Sequence, residues 1–210
     1  IAKEKLRIGV IGTGDRGRFL LNFLVRNPKA DVVWLCDNYQ PWLELGQQIA
    51  PNAKTCADYR QVIDDPTVEA IVIATPLYTH HEIAIAAMEA GKHLFCEKSM
   101  AKTLDDTLDM YQTHKRTNHV FFVDQQRLYD PVYLKAIEMI RSGMFGEIQG
   151  INTFWNRNGD WRRPVPSPEL ERKINWRLYK EYSCGLMTEL ACHQIQVGTW
   201  IWRELPERIY

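Results

Sequence analysis

The sequence predicts an α/β fold in which a doubly wound parallel sheet is followed by a second domain of different pattern. Short apolar segments alternate with helical segments throughout the first 124 residues, as in parallel βα units. The first apolar segment ends in a glycine-rich turn, and the alternation stops near Asp124. We therefore predict one domain over residues 1–124 and the start of another over residues 125–210.

Composition excludes several classes of function. The chain has 26 basic and 26 acidic side chains, so it lacks the basic excess that nucleic-acid binding requires. Its apolar runs are much shorter than the roughly 20 residues of a membrane helix. The five cysteines are odd in number and lack C-x-x-C spacing, which favours buried free thiols, a reducing compartment and no metal site. We expect a cytoplasmic protein, although a removed leader is an alternative because the chain begins at Ile1.

The first strand leads directly into a G-x-G-x-x-G turn. Ile8–Ile11 is apolar on both faces, and a helix is predicted from Asp15 to Asn27. In such a turn the first glycine permits the bend, the second lets a pyrophosphate approach, and the third lets the helix pack closely. The helix N-terminus then presents N–H groups to phosphates. The predicted cofactor contacts here are Gly12, Gly14, Asp15, Arg16 and Gly17.

Asp37 is the predicted ligand of the adenosine ribose. It follows the strand Val32–Cys36 and lies 20 residues after Gly17, the distance at which an acidic side chain meets the ribose hydroxyls. The alternative is that Asp37 caps the helix that begins near Pro41. Asn38 and Tyr39 follow Asp37, so no nearby cation would bind a 2′-phosphate. The pattern favours NAD over NADP.

The remaining elements of the first domain continue the alternation. Further strands are predicted at Ala53–Cys56, Ala70–Ala74, His93–Cys96 and Val120–Val123, and helices at Tyr59–Ile63, Thr79–Ala90 and Thr103–Asn118. Ligands of open parallel sheets bind beyond the carboxyl ends of the strands. Thr75–Pro76 and Glu97–Lys98 lie at two such ends, which strengthens the prediction of a dinucleotide site.

The second domain begins with a different pattern. We predict an amphipathic helix at Pro131–Ser142, a strand at Glu147–Trp155 and a polar loop at Asp160–Lys173. The alternation in that strand suits an antiparallel sheet with one polar face. A glycine turn then enters a helix on which Glu189 and His193, four residues apart, share one face.

The order of these motifs resembles the Gfo/Idh/MocA family (glucose–fructose oxidoreductase, inositol dehydrogenase and rhizopine catabolism proteins). The resemblance rests on the glycine turn, Ala74-Thr75-Pro76 with His80, and Ala90-Gly91-Lys92-His93 leading into Glu97-Lys98. It extends through Gly143-x-x-Gly146-Glu147-Ile148 and Gly185…Glu189…His193, and so covers essentially the whole chain. It implies a Rossmann domain followed by an α+β domain with a mostly antiparallel sheet, of which this chain holds only the beginning. In many members that sheet forms the oligomer interface, so a homodimer or homotetramer is expected.

The resemblance also implies residue roles. Lys98 and His193 match the family's catalytic lysine and histidine, and Glu189 takes the place usually held by aspartate. Thr75, Pro76, His80, Glu97 and Lys98 would lie at the nicotinamide end of the cofactor. Since aromatic and polar side chains suit sugar faces and hydroxyls, the expected substrate contacts are Arg127, Tyr129, Trp155, Trp161 and Arg162.

The expected function is NAD-dependent transfer of a hydride between nicotinamide and a secondary alcohol of a sugar, inositol or other polyol. A histidine suits the proton transfer, and a lysine suits the charge that develops on the substrate oxygen. Two alternatives remain open: an NAD-retaining glycoside hydrolase that uses transient oxidation, and a dinucleotide- or sugar-binding subunit without activity. Ser99, where the family commonly has proline after the lysine, leaves room for the second alternative.

Overall fold

The computed structural model describes residues 5–156, 159 and 161–208 of the 210-residue chain. The chain divides into two units, Ile1–Asp124 and Gln125–Tyr210.

The first unit is built on one parallel sheet. Its strands are β1 (Leu6–Ile11), β2 (Ala30–Cys36), β3 (Lys54–Cys56), β4 (Ala70–Ile73), β5 (His93–Glu97) and β6 (Phe121–Asp124). Their order is β3-β2-β1-β4-β5-β6, and every neighbouring pair is parallel. The strand order reverses between β1 and β4, which is the point where open α/β sheets bind ligands. The predicted doubly wound Rossmann sheet is confirmed.

Helices link the strands at nearly the predicted positions. They are α1 (Asp15–Leu24), α2 (Gln40–Ile49), α3 (Arg60–Asp64), α4 (His80–Glu89) and α5 (Leu104–Thr117). The predicted cap of α5 is present, because Thr103 Oγ1 accepts a bond of 3.0 Å from the amide of Asp106. Helix α1 ends before the predicted Asn27, because the amides of Arg26 and Asn27 bond three residues back and tighten the last turn.

Alternating strand residues build two cores, one on each face of the sheet. Val10 packs in a cluster with Leu21 of α1, whereas its neighbour Ile11 packs in a cluster with Met88 of α4. Both faces of β1 are therefore buried, as the apolar run in its sequence predicts. With both faces covered by helices, ligands can approach the sheet only at the ends of its strands.

The second unit contains helices and extended chain in its described part. Its α-helices are α6 (Pro131–Arg141), α7 (Glu171–Ile174) and α8 (Cys192–Trp202), and short 3-10 turns lie between them. The predicted strand Glu147–Trp155 is wrong, since these residues adopt no regular secondary structure. A strand needs a neighbour to accept and donate its backbone hydrogen bonds, and the described residues of this unit supply none. Helix α7 overlaps the end of the predicted polar loop, and Asp160, the first residue of that loop, lies outside the described residues.

The segment that carries Glu189 and His193 is helical, as predicted, but irregular. Gly185 has a φ of +74°, so it makes the predicted turn, and residues Met187–Ala191 form a π-helical turn that leads into α8. Such turns are rare and occur frequently at functional sites.

The cysteines are free, as predicted, but not all are buried. Cys36, Cys56 and Cys96 lie in the interior, whereas Cys184 is exposed in the turn before Gly185 and Cys192 is partly exposed. Burial was predicted correctly for the three cysteines in strands, and it was not predicted correctly for the two cysteines outside the sheet. Within residues 5–156, 159 and 161–208, no helix is long and apolar enough to cross a membrane.

Candidate cofactor site and catalytic residues

The glycine turn after β1 is closed by contacts that only glycine permits. Gly12 has a φ of +93°, and a Cβ there would lie 2.6 Å from the backbone carbonyl of Ala74. A Cβ on Gly17 would lie 1.8 Å from the carbonyl oxygen of Gly12. A larger residue at Gly17 would push α1 away from the turn, and a larger residue at Gly12 would push the turn away from the end of β4. The turn therefore holds the helix N-terminus against the carboxyl ends of β1 and β4.

The start of α1 fits a diphosphate. Gly14 is the N-cap, and it supplies no side chain to cap the helix. The first-turn amides and the positive end of the helix dipole thus face outward from the turn, as anion sites do. The carboxylate of Asp15 is bonded to Arg18 at 2.7 Å, which partly offsets a negative charge beside that site. These observations fit the diphosphate of a dinucleotide.

Asp37 lies at the glycine turn, where the sequence predicted it. Its Oδ2 accepts bonds from the amide and hydroxyl of Thr13, at 2.8 and 3.3 Å. Its Oδ1 accepts a bond of 2.8 Å from the amide of Tyr39, the residue that precedes α2. The carboxylate therefore supports the start of α2 and also stands beside the turn. The two roles weighed from the sequence are compatible.

His80 links two loops at the carboxyl edge of the sheet. Its Nδ1 lies 2.9 Å from the carbonyl oxygen of Ser99, and its Nε2 lies 3.0 Å from that of Thr75. The ring is only 1% exposed. A neutral ring donates to one of these two carbonyl oxygens, so His80 supports at least one of the loops from inside. The place beside the nicotinamide ribose that the resemblance implies for His80 stays a prediction. Thr75 and Pro76 are partly exposed on the same edge.

Arg16 joins the glycine turn to the ends of β5 and β6. Its guanidinium donates to the carboxylate of Glu97 and, at 2.6 Å, to that of Asp124. Glu97 and Asp124 are register partners on β5 and β6, and each is 6% exposed. Burial raises the pKa of Glu97 to about 7; Arg16 opposes this shift, and a hydrogen bond with Asp124 adds to it. The predicted cofactor residues Arg16 and Glu97 are thus partners of each other.

Lys98 is the first residue after β5. It is partly buried and stands between two anchored neighbours, Glu97 and Ser99. The Lys98–Ser99 peptide bond is cis, although Ser99 replaces the proline usual in the resembled family. The lysine predicted to be catalytic therefore follows a buried strand directly, at the ligand-binding edge of the sheet.

In the second unit, Glu189 is held by residues that the sequence did not identify. Its two carboxylate oxygens accept bonds of 3.1 Å from Arg177 and from Ser183, and it is 4% exposed. Arg177 lies over the ring of Trp176, 4.3 Å from its centroid. Separations of 12 and 6 residues do not match the three- and four-residue spacing of one helix face, so no sequence signal predicted these bonds.

His193 and Trp155 form a stacked pair in the same unit. Their ring centroids are 5.8 Å apart with an interplanar angle of 19°, and His193 is 4% exposed. Arg127 lies 5.9 Å from the centroid of Trp155, within cation–π distance. The structure thus brings together the predicted catalytic histidine and two of the predicted substrate contacts.

The other predicted substrate contacts are placed differently. Arg162 is ion-paired with Glu171 at the start of α7. Tyr129 is 59% exposed, and Trp161 is partly exposed. The substrate role of these three side chains stays a prediction.

Two family models match the chain. The model described as "Oxidoreductase family, NAD-binding Rossmann fold" (GFO_IDH_MocA) matches residues 6–125. The model of the GFO/IDH/MocA C-terminal domain matches residues 133–210. The predicted NAD-binding Rossmann domain, with NAD as its cofactor, is confirmed.

Curated relatives include both dehydrogenases and glycosyl hydrolases. The levoglucosan dehydrogenase of Pseudarthrobacter phenanthrenivorans is 34% identical over 94% of this chain and 51% of that protein. The myo-inositol 2-dehydrogenase of Thermotoga maritima is 26% identical over 98% of this chain and 57% of that protein. A glycosyl hydrolase family 109 protein of Stenotrophomonas maltophilia is 33% identical over 69% of this chain and 34% of that protein. The chain spans about half the length of the two dehydrogenases.

Solved structures share the fold. The WlbA dehydrogenase of Bordetella pertussis, in complex with NADH and UDP-GlcNAcA, superposes with a TM-score of 0.80 at 25% identity, over 96% of this chain and 56% of that one. GenD2 from gentamicin A biosynthesis, in complex with NAD, superposes with a TM-score of 0.78 at 20% identity, over 96% of this chain and 55% of that one.

Proposed function

The chain belongs to the Gfo/Idh/MocA oxidoreductase family, and from that premise we propose that the full-length protein is an NAD-dependent dehydrogenase. It transfers a hydride between nicotinamide and a secondary alcohol of a sugar, inositol or sugar derivative. The observation that carries the proposal is Lys98 at the end of β5, on the edge of the sheet that also bears the glycine turn and Asp37. The relatives named levoglucosan dehydrogenase and myo-inositol 2-dehydrogenase support the substrate class.

Each proposed catalytic residue has a distinct role. Bound NAD supplies the hydride acceptor. The ammonium of Lys98 donates a hydrogen bond to the reacting substrate oxygen and stabilises the negative charge that develops there. Neutral His193 accepts the hydroxyl proton, and stacking on Trp155 limits the rotation of its ring. Glu189 fixes the π-helical turn before His193 through its bonds to Arg177 and Ser183.

The substrate side of the proposal rests on the second unit. Trp155 is 41% exposed, so it keeps ring surface for the apolar face of a sugar, and Arg127 beside it offers hydrogen-bond donors to hydroxyls. We also assign weaker, peripheral contacts to Tyr129, Trp161 and Arg162, which are at least partly exposed. A homodimer or homotetramer is expected, and light scattering of the full-length protein measures it.

The test is turnover with a polyol panel. Full-length protein is mixed with NAD and sugars, inositols or anhydrosugars, and the absorbance of NADH is followed. Lys98→Met and His193→Asn should each lower kcat by at least ~100-fold while NAD binding persists. Lys54→Met and His119→Asn are matched controls. Lys54, the first residue of β3, pairs with Asp65. His119 contacts His93, which lies at the end of β5 opposite to Lys98. NAD binding without turnover of any substrate would reject the dehydrogenase assignment.

A second candidate is a glycoside hydrolase that retains NAD and oxidises its substrate only transiently. The similarity to a family 109 glycosyl hydrolase favours this candidate. That similarity covers a smaller share of both proteins than the similarity to levoglucosan dehydrogenase does. Release of an aglycone from a nitrophenyl glycoside without accumulation of NADH identifies this activity. Accumulation of NADH in step with product identifies the dehydrogenase.

A further inference from the structure

The residues on either side of Lys98 are both bonded to other elements of the first unit. The residue before it, Glu97, is bonded to Arg16, which also bonds Asp124. The residue after it, Ser99, has its carbonyl oxygen 2.9 Å from Nδ1 of His80. Both neighbours of the lysine are therefore tied to other parts of the first unit.

The two ties come from different elements. Arg16 is the second residue of α1, and it spans the ends of two adjacent strands with the two donors of its guanidinium fork. His80 begins α4, and its second nitrogen lies 3.0 Å from the carbonyl oxygen of Thr75, at the end of β4. The residue before Lys98 is thus connected to the glycine turn, and the residue after Lys98 is connected to the loop that follows β4.

We propose that Arg16 and His80 are positioning residues that brace Lys98 from either side and hold its ammonium at the reacting position. This inference rests on the proposed function, because it assigns Lys98 a catalytic role. Neither side chain is assigned contact with the substrate. Arg16 bonds the side-chain carboxylate of the residue before Lys98, and His80, with its proton on Nδ1, donates to the backbone carbonyl of the residue after Lys98.

Burial distinguishes this brace from ordinary surface pairing. His80 is 1% exposed, and Glu97 and Asp124 are each 6% exposed, so water competes little for their bonds. A lysine chain has four rotatable carbons and no preferred geometry of its own. A displacement of about 1 Å at a catalytic group can lower a rate by about 100-fold. Because the side chain of Lys98 is flexible, fixing the residues before and after it restricts where its ammonium group can lie.

The first test substitutes His80 in the full-length protein. The amide nitrogen of Asn lies near the position of Nδ1, whereas that of Gln lies near Nε2. His80→Asn should therefore keep the bond to Ser99 and stay within about fivefold of the wild-type kcat. His80→Gln and His80→Ala should lower kcat by roughly 10- to 100-fold, with the Kd for NAD within about twofold. Arg16→Lys keeps the charge but loses the fork, so it should behave like His80→Gln even where His80→Ala fails to fold.

A second readout does not depend on turnover. The rate at which acetic anhydride acetylates Lys98, measured by peptide mass spectrometry and normalised to exposed Lys54, reports how firmly the lysine is held. We expect that rate to rise at least ~3-fold in His80→Gln and Arg16→Lys and to stay near wild type in His80→Asn. His81→Ala is the matched control. His81 is the next residue in the chain, but its ring lies on the helix surface, 2.7 Å from the carboxylate of Asp109.

The outcomes separate the brace from the proposed function. Unchanged acetylation in both His80→Gln and Arg16→Lys overturns the brace, as does a loss of NAD affinity that accounts for the whole loss of rate. If Lys98→Met keeps full activity, the catalytic role of Lys98 fails, while the acetylation rates still decide whether the brace exists.

Discussion

Replacing Glu97 by glutamine should make the protein more stable at alkaline pH. Burial raises the pKa of Glu97 to about 7, against an ordinary value of 4.5. The folded state therefore keeps a proton that the unfolded state loses between these two values, and stability falls as pH rises through that window. Glutamine carries no ionisable proton, so Glu97→Gln removes this loss while its amide can still accept from Arg16 and donate to Asp124.

The size of the effect follows from the two pKa values. Each unit of difference corresponds to about 1.4 kcal/mol, so ionisation of Glu97 lowers the free energy of unfolding by about 3 kcal/mol at pH 8. At pH 5 the same calculation gives a loss of about 1 kcal/mol, because the carboxyl group of Glu97 is only partly ionised in the unfolded state at that pH. The gain of Glu97→Gln over wild type should therefore grow by about 2 kcal/mol between pH 5 and pH 8.

The assay is urea unfolding of the full-length protein at pH 5 and pH 8, followed by circular dichroism. Any constant difference in packing between glutamine and glutamic acid cancels when the two pH values are compared. Glu89→Gln is the matched control: Glu89 is exposed, and its bond to Arg116 lowers its pKa, so its charge hardly changes between pH 5 and pH 8. Equal pH dependence in wild type and Glu97→Gln would refute the reasoning.

Three further predictions concern the same unit. Gly17→Ala should abolish measurable NAD binding by calorimetry and lower the melting temperature, because its Cβ would lie 1.8 Å from the carbonyl oxygen of Gly12. Asp37→Ala should raise the Kd for NAD by about tenfold and that for NADP by less, since it removes a ribose acceptor and a charge that repels the 2′-phosphate; equal changes would contradict this role. Thr103→Ala should lower the free energy of unfolding by about 1 kcal/mol in a denaturant titration, because the amide of Asp106 loses its cap.

The sequence predicted the first unit well because its information there is local. Apolar runs such as Ile8–Ile11 must be buried on both faces, and glycine, proline and threonine mark where helices begin and end. Strand ends and helix starts then follow within a few residues. The polar residues at strand ends, Asp37 and Glu97 among them, were predicted to share one edge because parallel strands end together.

The second unit was predicted less well because its pattern depends on pairing between distant residues. Alternation in Glu147–Trp155 shows only that one face could be apolar; a strand forms only where another strand accepts its hydrogen bonds. The stacking of Trp155 on His193 likewise joins residues 38 positions apart by number, which no periodicity reports. The helix with Glu189 and His193 was predicted because its spacing is local, but its π-helical turn was not.

The same distinction applies to the contacts that Arg16 and His80 make with neighbouring loops. The glycine turn placed Arg16 near the cofactor, and the family resemblance placed His80 there. It could not show that Arg16 would meet Glu97, 81 residues away, or that His80 would meet the carbonyl of Ser99, 19 residues away. The sheet brings these residues together because it gathers the ends of β1, β4, β5 and β6 at one edge. A residue at such an edge can serve a ligand or a neighbouring loop, and the 1% exposure of His80 supports the proposal that its ring holds the loop that carries Lys98.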